Sequence, residues 1–78
     1  MEKLELENRP IERLIRIGEV KQLTGLSTAT LYRKISANEF PRPVRLGVVA
    51  RAWPLSEVQN WIAERIAVRR THEYGSAA

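Results

Sequence analysis

Gly18-Glu19-Val20-Lys21-Gln22-Leu23-Thr24-Gly25-Leu26-Ser27-Thr28-Ala29-Thr30-Leu31-Tyr32-Arg33-Lys34-Ile35-Ser36-Ala37 reads as two short helices joined by a tight turn. Gly18 opens the first helix. Val20 and Leu23, three apart, form its apolar side, and Glu19 suits the positive end of the helix dipole. Gly25 ends it, as glycine does where the chain turns left-handed. Leu26 is expected to be a buried turn residue, and Ser27 to cap the second helix. That helix runs from Thr28 to about Ala37, with Leu31 and Ile35 on its core face and Asn38 as its stop. So short a turn makes the helices cross steeply, as in a helix-turn-helix, whose second helix offers its N-terminal residues to the DNA major groove.

Working outward, Leu14-Ile15-Arg16-Ile17 predicts a brief strand or an extended entry segment. On the other side, Pro41 and Pro43 exclude a helix and a central strand but permit an edge strand. Gly47 offers a turn, and Ala50-Arg51-Ala52-Trp53 a return strand. A small β-hairpin, or wing, is expected at about 42–53. Pro54 closes it. Ser56 with Gln59 three residues later matches a capping box for a last helix, whose apolar face is Val58, Trp61, Ile62 and Ile66. Trp53 and Trp61 are expected in the core rather than on a ligand. The fold class is mainly α with a small β-hairpin: a winged helix-turn-helix over 13–70. A flexible N-terminal arm is expected at 1–12 and a flexible tail at 71–78, with His72 solvated.

The 78 residues allow one small domain with a marginal core. There is no cysteine, which fits a reducing cytoplasm. No apolar run approaches the roughly 20 residues of a membrane span, and Met-Glu-Lys-Leu-Glu-Leu-Glu has no signal-peptide core. A cytoplasmic, nucleoid-associated protein is expected. Net charge is +4, and residues 1–12 carry −2 of it, so the remainder carries +6. Between Thr28 and Arg51 stand Arg33, Lys34, Arg42, Arg45 and Arg51 against Glu39. Such clustering is the electrostatic footprint of a nucleic-acid binder. Catalysis lacks reagents: one histidine, in the tail, no cysteine, no aspartate and isolated glutamates. No enzyme activity, metal or cofactor is expected.

The candidate site starts on the second helix. Thr28, Ala29, Tyr32 and Arg33 point away from Leu31 and Ile35, with Lys34 and Ser36 nearer the edge. Thr28 either contacts DNA or only fills the first helical turn. Tyr32 either reaches a phosphate or packs its ring on the core. Arg33 suits a guanine edge or a phosphate. Lys34 suits a phosphate or plain solvation. Ser27 caps, and a capping hydroxyl lies close to any phosphate docked at that end. Arg42 and Arg45 on the wing suit backbone contact or simple solubility.

These residues, in order, resemble the AlpA family of phage and prophage regulators. The resemblance covers about 13–66 and rests on Leu14 to Ile17, Glu19-Val20, Leu23 to Ser27, Thr30 to Arg33, Phe40 to Gly47, Trp53 and Glu57 to Ile62. It implies a MerR- or excisionase-like winged helix-turn-helix and a transcriptional regulator of a prophage or mobile element. It maps DNA contacts onto Ser27, Thr28, Thr30, Tyr32 and Arg33 and onto the wing. Where family members commonly carry a basic residue two positions after the wing glycine, this chain has Val49; four positions after it stands Arg51. Strand alternation puts Arg51 with Trp53, at the edge of the core, so Arg42 and Arg45 rank above it. The implied partner is double-stranded DNA. One module of 78 residues offers limited interface area, so a homodimer or cooperative multimer on DNA is expected, paired through DNA or through the last helix. Alternatives are an excisionase-like architectural factor, or a module contacting an integrase or RNA polymerase subunit through the apolar tip Val48-Val49 and the Arg-rich last helix.

Overall fold

The strand Arg51–Pro54 organises the fold because it is paired on both sides. A computed structural model describes residues 11–69. Its elements are β1 (Leu14–Ile15), α1 (Ile17–Thr24), α2 (Thr28–Ser36), β2 (Val44–Arg45), β3 (Arg51–Pro54) and α3 (Leu55–Val68). The sheet order is β1-β3-β2, both pairings antiparallel. Ile15 lies opposite Trp53, Val44 opposite Ala52, and Arg45 opposite Arg51. β2 is thus an edge strand, and Pro43, just before it, withholds no ladder hydrogen bond. The architecture is the winged helix-turn-helix expected, mainly α with a small sheet.

The helix-turn-helix forms as its local chemistry dictates. Gly25 adopts φ 77°, and its N–H donates to the Lys21 carbonyl at 2.8 Å. Thr24 Oγ1 donates to the Val20 carbonyl and accepts from Leu26 N–H, tightening the turn from inside. Ser27 Oγ accepts from Thr30 N–H at 3.2 Å, the N-cap the sequence predicts. Asn38, at φ 62°, ends the segment in the left-handed region that asparagine tolerates.

The core is Ile15, Val20, Leu31, Ile35, Phe40, Trp53 and Val58, with Ile17, Leu26, Leu55, Trp61 and Ile62 packed around it. Trp53 is fully buried and donates its indole N–H to the Pro41 carbonyl at 3.0 Å, pinning the chain that leads into the wing. Trp61 is half-buried and donates to the Glu39 carbonyl at 2.7 Å. Ala52 and Trp53 are both buried although they are adjacent in a strand, because α1 and α3 both contact β3.

Three expectations need correction. Leu23 is 44% exposed: the core stripe of two-turn α1 runs through Ile17 and Val20, and Leu23 falls on its flank. Ile66 is 43% exposed, since α3 outruns the core beneath it. Ser56 and Gln59 form no capping box. Pro54 is the N-cap and has no side-chain bond to give, so Ser56 lies inside the helix. The cap comes instead from Glu12, whose carboxylate accepts from Ser56 N–H at 3.2 Å and Ser56 Oγ at 2.6 Å. Leu55 N–H is satisfied by the Arg13 carbonyl. Glu12, assigned to the arm by sequence, is therefore tied to α3. The rest of the expected arm apart from Ile11, and the tail with His72, lie outside the described residues.

Candidate nucleic-acid interface

The exposed face of α2 carries a hydroxyl ladder. Ser27 Oγ donates to Thr30 Oγ1 at 3.1 Å, and Arg33 Nη2 donates to the same Thr30 oxygen at 3.3 Å. Residues 27, 30 and 33 are spaced i, i+3, i+6 and so line one side of the helix. The ladder ends in a guanidinium held along the helix rather than swinging in solvent. That regular spacing was available in the sequence as a signal, but the link between the three side chains was not among its expectations.

Thr28, Ala29 and Ser36 are exposed on the same helix. Tyr32 is 39% exposed, and its ring meets Trp53 edge-on, with centroids 6.4 Å apart and planes at 62°. The aromatic body is thus anchored on the core residue. Lys34 Nζ lies 3.9 Å from the Glu39 carboxylate, a loose pair that leaves its charge largely uncommitted.

Arg42 Nη2 donates to Asn38 Oδ1 at 3.2 Å, so the stop of α2 orients the first wing arginine. Arg45 and Arg51 stand directly opposite each other across the hairpin, both exposed. Like charges in that position repel and cost sheet stability. Arg51 and Trp53 are two apart in the strand and share a side of it. Trp53, in the same strand as Arg51, meets Tyr32 of α2. Arg51 does sit beside the core, and it is solvent-exposed there rather than absorbed into it. Beyond the pair, Leu46 N–H donates to the Ala50 carbonyl at 2.8 Å and closes the tip, leaving Val48 and Val49 86% and 81% exposed.

Among the described residues, no group of three or more His, Cys, Asp or Glu side chains is placed to hold a metal ion, and no helix is long and apolar enough to cross a membrane.

Comparison with known proteins finds similarity over the same part of the chain. The family described as prophage CP4-57 regulatory protein (AlpA) matches residues 13–66. An uncharacterized protein, ORF88 of Enterobacteria phage P4, is 49% identical over 59 residues, spanning 76% of this chain and 67% of that protein. The DNA-binding transcriptional activator AlpA of Escherichia coli strain K12 is 30% identical over 66 residues, spanning 77% of this chain and 94% of that protein.

Proposed function

We propose a function from a settled premise: this chain belongs to the AlpA family of prophage regulatory proteins. Its task is to bind double-stranded DNA in a sequence-specific way and to regulate transcription of a prophage or related mobile element, without catalysis. The N-terminal half of α2 enters the major groove. Arg33 reads a guanine edge or grips a phosphate, and Thr28, Tyr32 and the Ser27–Thr30 hydroxyls contact base edges and backbone. Lys34, Arg42, Arg45 and Arg51 neutralise phosphates on either side.

The observation that carries this reading is the Tyr32–Trp53 contact. It ties the exposed face of α2 to the strand that also carries Arg51, which supports reading the two elements as one DNA-binding surface. The cross-strand arginine pair supports it, because an unfavourable placement in the free protein becomes favourable once phosphate lies between the guanidiniums.

The test is a salt titration of binding to a promoter fragment from the protein's own element, beside a scrambled fragment. Affinity for the native fragment should be the greater and should fall steeply with salt. Equal affinity for both would remove sequence recognition, and a flat salt response would remove the phosphate argument.

A further inference from the structure

Helix α3 has a second side chain stripe besides the one that faces the core. Trp61, Glu64, Arg65 and Val68 follow the i, i+3, i+4, i+7 spacing of a single helix face. The first three border a cleft of about 560 Å³ whose opposite wall is the end of α2 and its exit, including Lys34, Glu39 and Phe40. The floor is rigid. Phe40 and Trp61 meet edge-on with centroids 4.9 Å apart, and the Trp61 indole is tied to the Glu39 carbonyl. The Arg65 guanidinium sits 5.7 Å from the centre of the Trp61 ring, so it is already held at the cleft.

Read along the helix, the stripe is apolar, acid, base, apolar. Reversed, it is its own complement. We infer that this face binds α3 of a second copy of the chain, antiparallel and related by a twofold axis. Trp61 then packs on Val68 of the second copy and Glu64 pairs with Arg65 of the second copy, each contact occurring twice, as an isologous interface requires. The Val68 residue is 39% exposed, and in the dimer its side chain is the apolar knob.

Charge selects this face over others. The chain carries +4, which opposes self-association, and joining two wings would bring arginines together. The rim of the cleft balances Glu39 and Glu64 against Lys34 and Arg65. Of the residues assigned above to DNA, the cleft uses Lys34 alone. The dimer therefore leaves every other residue assigned to DNA open, and its test does not depend on DNA binding. Two turns of helix and a cleft form a small interface, so the dimer is weak in free solution.

The experiment is sedimentation equilibrium of the full chain from about 10 μM to about 1 mM. A monomer–dimer equilibrium is expected within that range. Glu64→Arg and Arg65→Glu, each of which sets like charges opposite, should weaken it at least tenfold, and the double swap should restore it. Arg65→Glu lowers the net charge from +4 to +2, which by itself favours association, so a loss there identifies the local pair. A wild-type monomer throughout, single swaps without effect, or a folded double swap that fails to restore the dimer overturns the inference. Should a swap variant not melt cooperatively, Val68→Asp at the helix end decides instead, and an unchanged dimer in that variant overturns it too.

Discussion

Arg33 meets solvent with its guanidinium tethered through Thr30 to the helix cap, which lowers the rotamer entropy it loses on docking. Two roles can be separated by substitution. Arg33→Ala should cost about 1–3 kcal/mol of binding to the specific site and relax preference at one base pair, if the guanidinium reads guanine. Thr30→Val keeps the shape and removes the tether, so it should weaken binding by less and leave base preference intact. Competition assays on the operator and on single-base variants of it distinguish the two. Arg45 and Arg51 are the arginines we propose for backbone contact. Replacing both with alanine should weaken specific and non-specific binding alike and make the slope of log K against log salt shallower by about 2; an unchanged slope would mean that the pair does not meet phosphate. Ser27 as a cap was legible in the sequence because capping is a local interaction within three residues. Arg51 was ranked low because strand alternation gave its side of the strand but not its exposure, which depends on how far α2 and the sheet extend over it.

At the level of elements, α2 and the wing followed from short-range rules: Gly25, Asn38 and the spacing of Leu31 and Ile35 for the helix, Pro43 before the edge strand for the hairpin. The start of α3 did not. Ser56 and Gln59 satisfy the capping-box pattern, yet Pro54 is the N-cap and the helix begins at Leu55, and the acceptor is a carboxylate 44 positions away in sequence. No local window contains that pair. The clip has a pH signature. Hydrogen bonds from the Ser56 hydroxyl, then from its backbone N–H, hold the Glu12 carboxyl below the usual glutamate value. A carboxyl whose pKa is depressed by folding stabilises the fold above its unfolded-state pKa and loses that contribution as pH falls through the folded value. Glu12→Gln should therefore melt below the wild type at neutral pH, and the gap should close as pH drops through and below about 4.3. Thermal melts at pH 7, 5 and 3 read this directly, and a gap that is constant with pH would assign the loss to shape rather than charge. Ser27→Ala is the matched test for α2. It should cost about 1 kcal/mol, or roughly 4–8 °C in melting temperature for a domain of this size, with no such pH dependence.

At the scale of the whole fold, seven buried residues among those described form the central cluster, and Trp53 is the largest of them. It links four parts: the β1 pairing through Ile15, the approach to the wing through the Pro41 carbonyl, helix α2 through Tyr32, and the sheet through its own strand. Its place in the core was legible from the alternating strand that precedes it, whereas these links depend on tertiary packing. A chain of this length has a stability of about 4–12 kcal/mol, and truncating a buried tryptophan costs about 3–5 kcal/mol. Trp53→Ala should consequently lie near the folding threshold and lose a cooperative melt, while truncation at half-buried Trp61 should be milder. The same marginality couples folding to binding. A ligand that binds only the folded state adds about 2.7 kcal/mol at 100 times its Kd, which corresponds to roughly 10–20 °C for a domain of this size. Operator DNA at that excess should raise the wild-type melting temperature by this amount, and scrambled DNA at the same concentration by much less. For Trp53→Ala, operator DNA should restore a cooperative transition, because the free energy regained is comparable to that removed. The check is a melt followed by circular dichroism at a wavelength where DNA contributes little. A variant that stays unfolded with saturating operator would show that Trp53 shapes the DNA surface itself, through Tyr32, and does not merely supply stability from beneath it.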